Sequence, residues 1–141
     1  MEPNELQVIP SSQRLAVLTE LIAATHVFAA PTVMLYQNAV ILSPSTVIAN
    51  LTVADFDGYA NVVGMTWESP YIDTDGSALV FGANQTILCT GSTMPNTIYG
   101  YALVNVGVTA LLAAYAFAAP IGISASGQAV SFLPALRYSG T

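Results

Sequence analysis

The residues that could do chemistry in this sequence are few, and the first of them are two close carboxylates. Asp55 and Asp57 flank Phe56 immediately before Gly58. Two such carboxylates can act as general acid and general base if burial raises the pKa of one of them. Acids that bracket a glycine turn more often accept hydrogen bonds from the backbone of the turn. We therefore expect Asp55 and Asp57 to be structural residues.

A nucleophilic centre has little support in the sequence. The chain holds one cysteine, Cys89, and one histidine, His26, which form a dyad only if the fold brings them together. Cys89 stands in an apolar run with no basic residue to lower its thiol pKa. His26 follows the end of a predicted helix, where an imidazolium interacts favourably with the helix dipole. We predict that the protein is not an enzyme.

A metal site also has weak support. The four residues from Asp73 to Gly76, Asp-Thr-Asp-Gly, are similar to the opening of a calcium loop. The twelfth position of an EF-hand loop requires a bidentate acid, and here it is Asn84. A single cysteine excludes a cysteine-rich zinc site. We predict a surface turn at Asp73, with no metal and no cofactor.

Charge is scarce and unevenly placed. The chain contains no lysine, its only cations are Arg14 and Arg137, and no charged residue occurs from Gly76 to Leu136. Two distant arginines cannot by themselves form the basic surface that nucleic-acid phosphates require, so we expect no direct nucleic-acid binding. Lys and Glu normally cover the solvated surface of a soluble monomer. Much of this surface must therefore lie against other subunits or in a bilayer.

Residues 101–123 carry the strongest argument for a bilayer, because about 20 apolar residues can span it as a helix. The residues that interrupt this run are Asn105, Gly107, Pro120 and Gly122. No Lys or Arg flanks it, as the positive-inside rule would require. The run also divides into two strand-length pieces, 97–106 and 111–117, so we favour packed strands. A small membrane protein that spans at 101–123 is an alternative. The acidic first five residues lack the cationic start of a secretory signal, so we expect no export.

The rest of the chain predicts a mainly β protein with one helix. Ser11 or Ser12 can cap an amphipathic helix over 12–24, after an N-terminal arm at 1–10. Predicted strands then lie at 33–42, 46–51, 59–68, 78–81, 85–90, 98–106, 111–117, 121–124 and 129–133, with a hairpin connection at 82–84. About eight or nine short strands at this spacing are typical of a β-sandwich, jelly roll or barrel. We predict one β-sandwich domain over 11–136 and a C-terminal tail at 137–141. Several strands are apolar on both faces, and we expect their second face to meet another subunit.

Two glycine-tyrosine motifs carry a resemblance to a known group. The string from Leu51 to Ala60, LTVADFDGYA, and the string from Thr97 to Tyr101, TIYGY, resemble segments of small structural proteins of tailed bacteriophages. The order of an N-terminal helix, Leu-Tyr-Gln-Asn, Trp67 and a late Phe-Leu-Pro-Ala-Leu is similar as well. The likeness covers residues 15–136, although such proteins usually carry more charge.

The resemblance implies a virion structural protein with a β-sandwich or jelly-roll core. Its most specific form is a capsid decoration (cement) protein that binds the major capsid protein as a homotrimer on the capsid surface, after synthesis in the host cytoplasm. A tail, collar or receptor-binding head module is an alternative.

The same resemblance indicates which residues matter. Its motif residues are Asp55, Asp57, Gly58, Tyr59, Tyr99, Gly100 and Tyr101. We expect Gly58 and Gly100 to allow close backbone approach, and the tyrosines either to fill the core or to face a partner. We expect capsid contact from the two ends of the chain, at Met1, Glu2, Pro3, Asn4, Arg137 and Tyr138.

Overall fold

The fold is described for residues 31–91 and 95–138 of a computed structural model. This part of the chain is mainly β, which confirms the predicted class. The predicted helix at 12–24 and the arm at 1–10 lie outside the described residues.

Eight strands follow one another along these residues, and every pairing between them is antiparallel. They are β1 (Thr32–Tyr36), β2 (Tyr71–Ile72), β3 (Ala78–Phe81), β4 (Gln85–Leu88), β5 (Asn96–Val104), β6 (Leu111–Ile123), β7 (Ala129–Phe132) and β8 (Ala135–Tyr138). They form three sheets, with the orders β1-β5-β6, β2-β3-β8 and β4-β7.

One hydrophobic core joins the three sheets. Its fully buried members include Val33, Leu35, Val80, Ile98, Leu103 and Val130, with Ile87 and Leu136 close behind. These residues come from β1, β3, β4, β5, β7 and β8. Burial of each such side chain stabilises the fold by about 1.5–3 kcal/mol. The sheets are therefore parts of one packed unit.

The sheet β1-β5-β6 is buried on its second face as well. Successive side chains of a strand point to opposite faces, and here Met34, Tyr36, Ala102 and Val104 form a second cluster. Residues 40–51 cover that cluster with Val40, Leu42, Ile48 and Leu51. The expectation that the second face meets another subunit is therefore wrong for β1 and β5, because the chain covers this face itself.

Residues 37–51 form no strand, although 33–42 and 46–51 were predicted as two. Here asparagine side chains, rather than a neighbouring strand, form hydrogen bonds with the backbone. Asn38 donates to the Asn50 carbonyl at 2.8 Å and accepts from the Thr52 N–H at 2.7 Å. The Val47 N–H donates to the Asn50 side chain at 2.8 Å, and Ile48–Asn50 forms a 3₁₀ turn. Such local bonds compete successfully with a β ladder.

The hairpin predicted at 82–84 is also wrong. β3 pairs with β8, whereas β4 pairs with β7. The Gly82 N–H donates to the Pro134 carbonyl at 2.8 Å, so the β3–β4 connection lies beside the β7–β8 connection. Residues 78–88 and 129–138 thus form one long antiparallel pair that bends from one sheet into the next.

Residues 101–123 are a β-hairpin with its turn at 105–110, and β6 continues through the break predicted after Phe117. The pairing moves from Ile98↔Ile121 to Gly100↔Ala116, so β6 has extra residues around Pro120. Proline is tolerated there because β6 is an edge strand. Among the described residues, no helix is long and apolar enough to cross a membrane.

The last described strand, β8, extends past residue 136 into the predicted tail at 137–141. Arg137 and Tyr138 belong to β8, where they pair with Leu79 and Ala78 of β3. This strand and the short strand β2 were not predicted from the sequence. Both are too short and too mixed in composition to give an alternating pattern.

Candidate functional site

The Asp55 carboxylate is part of a hydrogen-bond network with a buried asparagine. Its Oδ1 accepts from Asn96 Nδ2 at 2.9 Å and from Gln37 Nε2 at 3.1 Å. Asn96 Oδ1 in turn accepts from the backbone N–H groups of Asp55 and Phe56, at 2.8 and 2.9 Å. Asn96 opens β5, so it joins the two glycine-tyrosine motifs. Its role was not predictable from the sequence, because a polar residue at a strand start gives no sign of burial.

Asp57 serves a different contact from Asp55. Its side chain lies so close to Gly91 that it would overlap a Cβ on residue 91. Its carbonyl accepts from the Thr90 N–H at 2.9 Å. The next residue, Gly58, has a φ of 91°, and a Cβ there would meet Thr90 and the Leu88 carbonyl. The turn at Asp57 and Gly58 therefore packs against the end of β4, and Gly58 has the close approach expected of it.

The Tyr59 hydroxyl supports the outer edge of β1. It accepts from the Leu35 N–H at 2.9 Å and donates to Asn61 Oδ1. Burial raises the pKa of Tyr59 to about 12, while the Leu35 bond acts in the opposite direction. Its ring packs edge-on against Phe56 with centroids 5.4 Å apart. Tyr59 is thus a core and edge residue of the fold.

Gly100 allows β1 to contact β6 across β5. The Tyr36 hydroxyl passes over Gly100 and donates to the Tyr115 carbonyl at 3.2 Å. A Cβ on residue 100 would overlap that carbonyl oxygen and the Tyr36 hydroxyl. The neighbouring Tyr99 is half-buried against the second cluster. The close approach expected at Gly100 is therefore present.

Tyr101 lies at the centre of an aromatic cluster. Its ring stacks on Tyr115 and on Phe132, each with centroids 5.1 Å apart, and Phe117 adjoins them. Its hydroxyl accepts from the Ala135 N–H at 3.1 Å. The Tyr115 hydroxyl accepts from the Arg137 N–H at 3.3 Å. Burial raises the pKa of both tyrosines. Two alternate N–H groups of β8 are thus bound by hydroxyls from the neighbouring sheet.

The acidic turn at Asp73 is ion-paired from within the chain. Arg137 contacts the Asp73 carboxylate at 2.9 Å and the Asp75 carboxylate at 3.1 Å. The Asp75 pKa is lowered, first by hydrogen bonds from Ser77 and then by the Arg137 charge. No cluster of three potential metal ligands occurs within residues 31–91 and 95–138. The arrangement is an ion-paired turn that holds β8 against the start of β3.

The predicted site residues thus fall into three groups. The first group is the two motifs, which Asn96 at the start of β5 joins by hydrogen bonds; its members are Asp55, Asp57, Gly58, Tyr59, Tyr99, Gly100 and Tyr101. Arg137 and Tyr138 lie on β8. Met1, Glu2, Pro3 and Asn4, together with His26, lie outside the described residues. Cys89 is buried and donates from Sγ to the Gly91 carbonyl at 2.9 Å.

A further surface was not foreseen from the sequence. β6 is the outer strand of its sheet, and no described strand pairs with its free edge. The opposite edge, on β1, bonds to residues 52–62, for example between the Val33 N–H and the Val62 carbonyl at 2.9 Å. A cavity of about 220 Å³ separates the first four residues of β6 from Leu42, Ser43, Pro44 and Thr46. The apolar run at 111–117 was visible in the sequence, but its position at an edge was not.

Comparison of the chain with models of protein families, with curated proteins and with solved structures finds no match.

Proposed function

We propose that this chain is a non-enzymatic virion structural protein of the capsid decoration (cement) type. The observation that carries the proposal is the uncharged β surface formed after Gly76. Apolar side chains stand exposed on it, among them Val106 at 67% and Leu88 at 50% of full exposure. A surface of this kind suits a protein that works in contact with other protein subunits.

The polar clusters support a structural role. Asn96 binds Asp55 and the backbone of Phe56, and Arg137 separately pairs with Asp73, so both clusters have their partners within the chain. A general acid or base must reach a proton on a substrate. In these clusters the carboxylates instead accept from the protein, which favours a scaffold over a catalyst.

The proposed partners are the major capsid protein and further copies of this chain, with a homotrimer expected from the phage resemblance. We propose a β-sandwich or jelly-roll topology for the domain, supported by the core that the three sheets share. Binding only to the assembled, expanded shell would stabilise that state by mass action. Several linked contacts would strengthen the binding further. The proposed location is the capsid surface.

The test is the abundance of the chain in purified particles of the phage whose genome encodes it. Quantitative mass spectrometry should find copy numbers comparable to those of the major capsid protein. Addition of the purified chain to expanded heads that lack it should raise their melting temperature, whereas unexpanded heads should not bind it. A low copy number would favour the tail or collar alternative. Absence from particles would overturn the proposal.

A further inference from the structure

The outer edge of β6 has the properties of a surface made for another strand. An edge strand presents a row of backbone N–H and C=O groups that can pair with a further chain. β6 runs from Leu111 to Ile123, and its side chains range from half-buried to exposed except at the last residue. Natural edges are usually protected by charged side chains. β6 contains no charged side chain, and no charged residue occurs anywhere from Gly76 to Leu136.

The first half of β6 is regular enough to pair. Leu111 to Ala116 follow β5 with one register shift, and the larger irregularity and Pro120 come later. Ala113, Ala114 and Ala116 are small, so a neighbouring backbone can approach without a side-chain clash. A cavity adjoins Leu111 to Ala114 in this half of the strand.

The distribution of charge identifies the occupant. Copies of a chain with a net charge of −6 repel one another wherever their acids meet. The acids of the described region are Asp55, Asp57, Glu68, Asp73 and Asp75, and none is on β5 or β6. The β6 edge therefore lets identical chains meet without like-charge contact. It also offers no charge by which a charged partner could be recognised.

We infer that the outer edge of β6, over Leu111 to Ala116, is the contact through which copies of this chain associate. The inference deepens the proposed function, since it names the surface between the copies of the proposed oligomer. Pairing of β6 with β6 about a two-fold axis gives a dimer. Pairing of β6 with a different edge of the next copy gives a ring such as the expected trimer.

The test is sedimentation velocity of the full chain and of two edge variants: Ala116→Lys, at the end of the proposed contact, and Ala118→Lys, two residues beyond it. Both positions are exposed, and a lysine on a strand edge opposes pairing. Ala83→Lys is the matched control, because it adds the same charge at an exposed position between β3 and β4. We expect the unaltered chain and the control at two or three times the 14.7 kDa of one chain. The edge variants should sediment two- to three-fold lighter, as folded monomers.

Hydrogen exchange of the unaltered chain provides a test that does not depend on the folding of a variant. Amide protection over 111–116 should rise with protein concentration, more than protection elsewhere. A monomer at every concentration, or an oligomer unchanged by both lysines and without this rise, would overturn the inference. Binding of the folded edge variants to expanded heads is measured separately. If monomeric edge variants bind the heads, the proposed function on the shell does not depend on the β6 contact. If the intact oligomer forms through β6 but does not bind, the β6 contact stands and the proposed function fails.

Discussion

Tyr36 and Tyr115 are joined across a whole β-strand. The two residues lie 79 positions apart on β1 and β6, and the Tyr36 hydroxyl donates to the Tyr115 carbonyl at 3.2 Å over the backbone of Gly100. All residues of β5 except Gly100 carry a side chain. The bond can form because residue 100 lacks one. This bond ties the edge strand β6 to the far side of its sheet.

Gly100→Ala should therefore destabilise the fold strongly. The added methyl group meets backbone on β6 as well as the Tyr36 hydroxyl, and overpacking against fixed backbone costs about 3 kcal/mol. Denaturant unfolding of both forms measures this difference in free energy. Gly122→Ala is the control in the same strand pair, because a Cβ there has no atom within 4 Å. It should change stability by less than about 0.5 kcal/mol. Equal effects of the two substitutions would contradict the role of Gly100.

Asn96→Ala should destabilise the segment that carries the first motif. The substitution leaves the N–H groups of Asp55 and Phe56 without their acceptor, and such a loss costs about 2 kcal/mol or more. Chemical denaturation should show the loss, and hydrogen exchange should show faster exchange at residues 55 and 56. Asn84→Ala changes the same side chain at an exposed position and should be close to neutral. Unchanged exchange at Phe56 would refute the assignment.

Stability should fall above pH 10 because of Tyr59. Its pKa is about 12 in the folded chain and 10.0 when unfolded. Between these values the unfolded chain loses the proton while the folded chain keeps it, so the free energy of unfolding decreases by about 3 kcal/mol. Burial raises the pKa of Tyr36, Tyr101 and Tyr115 in the same direction. Unfolding free energies measured across this pH range should decline less steeply in Tyr59→Phe. Full tyrosinate absorbance near pH 10 from a chain that is still folded would contradict this.

Val108→Gly should stabilise the β5–β6 turn. Val108 has a φ of 53°, a left-handed conformation that costs an L-residue about 1–2 kcal/mol. Glycine adopts it without that cost. We expect a gain of about 1 kcal/mol in unfolding free energy, after the greater chain entropy of glycine is included. Val106→Gly, at a neighbouring exposed position without a positive φ, should instead lower stability. A loss in both variants would show that the turn does not hold strain at Val108.

The sequence predicted the class of the fold and the position of several strands, because alternation and turn residues are local signals. β3 was predicted with its observed bounds, and Gly58 and Gly76 have the positive φ values expected of turns. Pairing was not predictable in the same way. The partner of β3 is β8, more than 50 positions away, and nothing local distinguishes it from the nearby β4.

The role of the candidate site residues was only partly readable. Close backbone approach at Gly58 and Gly100 was predictable, because glycine has no Cβ to prevent it. The burial of Asn96 depends on long-range contact with Asp55 and Phe56, which no spacing along the chain reveals. The exposed edge of β6 is likewise a property of sheet order. The apolar second face of β1 and β5 looked like an interface, because the cover at 40–51 has a strand-like composition of its own.

The hydroxyls of Tyr101 and Tyr115 on the β8 backbone affect how the molecule comes apart. β8 belongs to one sheet through its ladder with β3 and to the other sheet through these two bonds. Neither sheet can separate from the other without releasing β8 from one of them. The two sheets therefore open as a single cooperative unit. The cover at 40–51 has no strand in either sheet, so we expect it to detach at a lower free energy than this unit.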